Sequence, residues 1–224
     1  MVFEPPLYLT PPSTAAIRAH IQTGDLGMIA TPAQGNRIEP SYQAWCADNG
    51  VFGGTYPGDD AYLAWLRRRR PHADRCLFAV APDVVGDHWA TFARSRDMLR
   101  RIRDLGFPVA FAAQNFMEFD SWDPWQEIDC LFIGGDTAWK LGPAAAQLAA
   151  VASSLGIWVH MGRVNTRRRY DYARAISVDS VDGTTLTRAP DKNLPKVLSW
   201  RHGHRRAGRR RWREASGQHA FFAT

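Results

Sequence analysis

Cysteine is scarce in this chain of 224 residues: there are three, Cys46, Cys76 and Cys130, and no two form a CxxC pair. Three such residues cannot staple a small domain and offer no zinc-ribbon spacing, so a reducing, cytoplasmic setting is expected. No stretch approaches roughly 18 uninterrupted apolar residues, which excludes a transmembrane helix. The N-terminal MVFEPPLYLTPPS lacks the basic region and apolar core of a signal peptide, again the expectation for a cytoplasmic protein. Neither G-x-G-x-x-G nor a Walker A loop follows an apolar run, which weakens dinucleotide and nucleoside-triphosphate readings. Lysine is nearly missing: only three of the 28 basic side chains are lysine. That bias suits phosphate-binding forks and equally suits a GC-rich genome.

What is present is an ordinary globular composition, 45% hydrophobic and 22% charged, with a net charge of +6. It excludes a disordered chain, and the length fits one large domain or two small ones. The charge is uneven. Residues 196–224 hold Lys196, Arg201, Arg205, Arg206, Arg209, Arg210, Arg211 and Arg213 against Glu214, a net of +7 that leaves about −1 on residues 1–195. The expected division is therefore a globular unit over 1–201 and an Arg-rich tail over 202–224.

Short apolar runs alternate with helix-like segments. The runs Leu7–Thr10, Gly27–Thr31, Ala44–Asp48, Cys76–Pro82, Pro108–Gln114, Cys130–Gly134, Ile157–Gly162 and Val178–Gly183 read as strands. Several are apolar almost throughout, as parallel strands buried on both faces must be. Helical patterning covers Ser13–Gln22, Asp59–Arg70, His88–Leu105, Pro143–Leu155, Thr166–Ala175 and Leu194–Arg201. Asp87 and Gly106 bracket the third of these as cap and stop. Eight strands with intervening helices predict an α/β fold, a compact (β/α)8 barrel, with a doubly wound open sheet as the alternative.

Polar residues gather at the carboxyl ends of the strands, where barrels build their sites. The endings are CADNG (Asp48), APDVVGD (Asp83), FAAQN (Gln114), FIGGD (Gly134, Gly135, Asp136), VHMGR (His160, Arg163) and VDSVDG (Asp179, Asp182). One such Asp is commonly a turn former, but six polar endings on one rim argue for a site. Asp48, Asp83 and Asp182 can divide the roles of nucleophile, acid/base and substrate reader. His160 could join Asp83 on a metal, although a lone histidine is more commonly a hydrogen-bonded structural residue, and no metal set is spaced in the sequence.

The segments CADNGVFGG, APDVVGD, FAAQN, FIGGDTAWKLG and VHMGRVNTRRRYDYARAISVDSVDGT resemble the core of the tRNA-guanine transglycosylase superfamily. They are most like its DpdA branch, the bacterial and phage enzymes that insert 7-deazaguanines into DNA. The resemblance covers roughly residues 27–200, with the segments in family order. It implies Asp182 as the nucleophile at the anomeric carbon and Asp48 as acid/base near the glycosidic bond. Asp179, an odd offset earlier, would face the other side of its strand. The resemblance places Phe52 and Met161 on the two faces of the base, and Asp83 on the purine edge with Gln114 and the Gly134–Gly135 backbone beside it. Core packing is the other reading of Phe52 and Met161. A double displacement of this kind requires no redox cofactor.

The family's C-terminal zinc site of three cysteines and a histidine has no counterpart, since no cysteine follows Cys130. GTTLTR replaces the proline-threonine-arginine segment after the nucleophile, and the room for a tRNA-contacting insertion is missing. These departures favour DNA over tRNA as the polymer. Arg163, Arg167, Arg168 and Arg169 would then hold phosphates flanking the target base. Arg67–Arg70 reads as a solvated helix end, and the tail, with Trp212, as either a DNA grip or a solvated extension. The implied partners are DNA and a 7-deazaguanine base such as preQ0, in a bacterial or phage-infected cell, with no membrane. A homodimer, common in the family, stands beside a single acting chain. Three functions are carried forward: DNA-guanine transglycosylase; a tRNA-type transglycosylase, DNA glycosylase or nucleosidase; and a non-catalytic nucleic-acid-binding protein.

Overall fold

The computed structural model describes residues 5–122 and 124–201, so the Arg-rich tail over 202–224 lies outside the described residues. Its centre is eight short strands: β1 (Leu7–Thr10), β2 (Gly27–Ala30), β3 (Trp45–Ala47), β4 (Cys76–Val80), β5 (Val109–Ala113), β6 (Cys130–Ile133), β7 (Trp158–Met161) and β8 (Ser180–Asp182). Each pairs in parallel with the next. The last returns to the first, Leu7 opposite Ser180 and Leu9 opposite Asp182, closing a barrel. The open-sheet alternative is thereby excluded.

Around the barrel lie α1 (Ala15–Gln22), α2 (Asp59–Arg67), α3 (His88–Asp104), α4 (Thr137–Lys140), α5 (Pro143–Ser154) and α6 (Arg167–Ala175), then α7 over 190–201. The caps follow side-chain chemistry. Thr14, Asp87, Asp136 and Thr166 each accept a backbone N–H in the first turn of α1, α3, α4 and α6. Gly106, at φ 88°, takes the left-handed turn after α3. α2 ends at Arg67, short of the expected Arg70, because Pro71 disfavours helix at the residue before it, and a 3-10 turn (Arg70–Arg75) follows. α7 begins four residues before the expected Leu194, with Pro190 in the first position, where its missing N–H costs nothing. Two crossovers lack an α-helix: β2 to β3 uses the 3-10 turn Pro32–Gln34, and β5 to β6 uses Met117–Phe119. Among the described residues no helix is long and apolar enough to cross a membrane.

Strand alternation sorts the core into two layers. Leu7, Leu9, Cys46, Phe78, Val80, Ala110, Ala112 and Cys130 point inward, with Phe132 and Trp158 against them. Their neighbours Tyr8, Ala47, Ala79, Phe111, Ala113, Ile133, Val159 and Met161 point outward and pack with the helices. The interior is tight enough to require glycine at position 27, where a Cβ would lie 2.4 Å from Leu9 Cδ2. All three cysteines are buried thiols.

Candidate active site

The inward parity continues past the strand ends. Cys46 leads to Asp48, Ala112 to Gln114, Phe132 to Gly134, His160 to Gly162, and Ser180 to Asp182. Asp48, Gln114, Gly134, Gly162 and Asp182, with Asn49, Asp83 and Arg163, line a cavity of about 90 Å³ at the carboxyl end of the barrel, floored by Val80, Ala112 and Phe132. One water needs roughly 10–15 Å³, so the space admits a small organic ring.

Asp182 is the most elaborately supported group. Its Oδ1 accepts the Arg163 backbone N–H at 2.9 Å. Its Oδ2 lies 3.0 Å from Nε2 of the fully buried His160. His160 Nδ1 meets Ser180 Oγ at 2.8 Å, and Ser180 Oγ accepts the Trp158 indole N–H at 2.8 Å. The Asp182 carboxylate only accepts, so Nε2–H is assigned to it, and the serine hydroxyl, accepting the indole N–H, is assigned as donor to Nδ1 of the neutral imidazole. Burial acts to raise the Asp182 pKa, but the His160 hydrogen bond, the Arg163 amide and Lys140 outweigh it. The carboxyl is held below its ordinary range.

Asp48 has the opposite environment. One backbone donor, Gly50 N–H at 2.7 Å, is its recorded hydrogen bond. Burial, reinforced by the charge of Asp182, pushes its pKa up to about 7. Two carboxylates of one cavity are thus driven apart, Asp182 toward the anion and Asp48 toward the acid.

Asp83 is clamped by two amides. Its Oδ1 accepts from Asn49 Nδ2 at 3.0 Å and its Oδ2 from Gln114 Nε2 at 2.9 Å. Burial raises its pKa against the Asn49 bond. Gln114 Oε1 in turn accepts the N–H groups of Gly86 (2.9 Å) and Gly135 (3.0 Å), and Gly134 N–H donates to Ala113 O. The N–H groups of the two glycines and one N–H of the Gln114 amide are therefore committed within the wall. Gln114 acts as a brace for Asp83.

Phe52 lines the mouth and stands largely in solvent. Met161 does not join it. His160 takes the inward place on β7, so Met161 faces the helices, fully buried, and the expected pairing of Phe52 with Met161 across a base is corrected by strand alternation. Asp179 precedes β8, at the far end from the cavity, where its carboxylate accepts Val159 N–H at 2.8 Å. The Arg163 guanidinium instead covers Phe52, 4.7 Å from the ring centroid, and donates to the carbonyls of Gly134 and Gly135. Arg163 is also one of four described non-glycine residues in the left-handed region, at φ 63°, the turn that aims its N–H at Asp182. Arg167 pairs with Asp171 at 2.8 Å, Arg169 donates to Arg163 O, and Arg168 is exposed. All three occupy the first turn of α6, where cations oppose the helix dipole.

Asn49 and Lys140 are not singled out in the sequence, and His160 enters there only as a possible metal ligand or a hydrogen-bonded structural residue, its partner on the next strand not being visible. Lys140, fully buried, donates to Gly162 O at 2.7 Å, and burial beside Arg163 pushes its pKa down to about 7. Among the described residues no group of three or more His, Cys, Asp or Glu side chains could hold a metal ion.

No family model matches the chain, and no curated protein matches it. Among solved structures it is similar to the tryptophan synthase α2β2 complex of Pyrococcus furiosus, at 10% identity over 89% of this chain and 95% of that one, TM-score 0.45. It is also similar to BlrP1 of Klebsiella pneumoniae in its manganese and cy-diGMP complex, at 15% identity and TM-score 0.39. That match covers 75% of this chain and 40% of the other, so the chain spans less than half of BlrP1.

Proposed function

We propose that this protein is a DNA-guanine transglycosylase that replaces guanine in DNA by a 7-deazaguanine base. The observation that supports it is the split pair in one cavity: Asp182 stabilised as an anion by His160 and Arg163 N–H, Asp48 held as an acid up to about pH 7. A retaining displacement needs this division of labour. In the first step an Asp182 oxygen attacks C1′ of the target deoxyguanosine and the C1′–N9 bond breaks. Asp48 gives its proton to the departing guanine. In the second step the Asp48 carboxylate takes the N9 proton of the incoming 7-deazaguanine, N9 attacks C1′, and the bond to Asp182 breaks with overall retention.

Asp83, fixed by Asn49 and Gln114, presents its remaining lone pairs to the N1–H and amino group of the base. Phe52 offers the stacking face once Arg163 swings off it, and the freed guanidinium then serves a phosphate. The target base leaves the duplex stack to reach the cavity.

Incubating the full chain with guanine-containing DNA and a radiolabelled 7-deazaguanine tests this reading. Label entering the polymer with release of guanine is the expected result, abolished by Asp182→Ala. Guanine release without label would instead indicate a glycosylase, and neither event would indicate a protein that only binds.

A further inference from the structure

The cavity mouth is asymmetric in a way the base-exchange chemistry does not use. The loops after β3 and β5 and the first turn of α3 carry exposed aromatic rings: Phe52 (64% exposed), Phe116 (57%) and Phe119 (75%) in the loops, and Trp89 (54%) on the helix. The loop after β7 leads into the arginines at 167–169 at the start of α6, while Arg163 from the same loop reaches over Phe52. Phe52 lines the cavity itself, and the other rings follow cavity-lining residues closely in the chain. Phe116 follows Gln114 by two residues, and Trp89 follows the cavity-lining Val85 by four.

Two features of the β5 loop are costly unless used. Phe116 is held in the left-handed region at φ 75°, a conformation a bulky side chain rarely adopts. Its ring is not buried in return. It lies against Phe119 at 6.5 Å with the planes 24° apart, presenting two nearly parallel rings to solvent. The loop is tied down around them. Asn115 Nδ2 donates to Asp136 at 2.7 Å, Trp139 Nε1 donates to Glu118 at 2.9 Å, and Asp120 meets the buried His88 at 2.7 Å. The platform is rigid, strained and open.

We propose that Phe116 and Phe119 are a stacking platform for unpaired bases neighbouring the target nucleotide, so that the polymer is engaged as a single strand. Flat rings offer affinity without sequence choice, because every base has a π-face. The arginines after β7 supply the phosphate contacts that a protein-binding apolar patch would not need. The inference deepens the transglycosylase reading by naming the form of its nucleic-acid substrate.

Binding of the full chain to a single-stranded oligothymidylate, which contains no guanine to react, separates this inference from the chemistry. The double variant Phe116→Ala/Phe119→Ala should weaken binding by about 5- to 150-fold for each base that loses its ring. The slope of log affinity against log salt should stay unchanged, whereas Arg168→Ala should shrink that slope by about 0.7. Phe116→Trp should retain binding. Phe116→Gly, which accepts the left-handed backbone, should leave the thermal midpoint unchanged or raised while weakening binding. Unaltered oligothymidylate affinity in the double variant overturns the proposal. So does a loss of stability in Phe116→Gly, or a change confined to self-association in sedimentation. If base exchange fails while ring-dependent binding persists, only the catalytic reading falls.

Discussion

The β7–β8 side of the barrel mouth and the β3 side each end in an aspartate, and the protein treats the two in opposite ways. Asp182 receives an imidazole and a backbone N–H, with a serine and an indole queued behind the imidazole. Asp48 receives one backbone N–H and the repulsion of Asp182. The same functional group is therefore an anion at one place and an acid at another in the lining of one cavity. Donor count, rather than burial, separates them, since both are penalised by desolvation.

Removing the anion should break this contrast completely. Asp182→Asn is expected to lower base exchange by on the order of 10⁴-fold or more in single-turnover assays, the scale seen when a nucleophile is deleted. Removing the acid comes next. Asp48→Asn should cost about 10²–10⁴-fold and erase the fall in rate that wild type shows as pH rises through about 7, where Asp48 loses its proton.

The same substitution sharpens the comparison through stability. The folded pKa of Asp48 lies above its unfolded value, so its contribution is fully present below about pH 4 and lost as pH rises to about 7. Asp48→Asn should then be more stable than wild type at pH 8 by on the order of 4 kcal/mol, and not at pH 4, in urea titrations.

Smaller effects belong to the support behind Asp182. His160→Ala should slow exchange about 10- to 100-fold and move the acid limb of the pH profile upward, because Asp182 loses its principal stabilising donor. His160→Gln, which keeps an N–H, should recover part of both. Ser180→Ala should cost about threefold to tenfold with a smaller upward shift.

Much of this architecture is readable from the chain. All eight strands fall within the apolar runs, since parallel strands buried on both faces leave little else in their sequences. Asp48, Asp83, Gln114, Gly134, Gly135 and Asp182 share one cavity because each sits at or just past a strand end on the inward parity or in the loop that follows. The same parity, applied to VHMGR, admits only one of His160 and Met161 to the interior, and the histidine has it. What stayed hidden depends on neighbours distant in sequence. His160 gains its meaning from Ser180 and Asp182 on the next strand, Lys140 from the Gly162 carbonyl, and Asn49 from Asp83 in the following loop. Single turns such as α4 leave too short a pattern for periodicity to register.

The division between the two aspartates is tested most directly by locating the covalent bond. Wild-type protein mixed with guanine-containing DNA and quenched in denaturant should yield a nucleic-acid adduct on the peptide containing Asp182, identified by mass spectrometry. Asp182→Asn should yield none. An adduct on the Asp48 peptide, or one that survives in Asp182→Asn, would contradict the account.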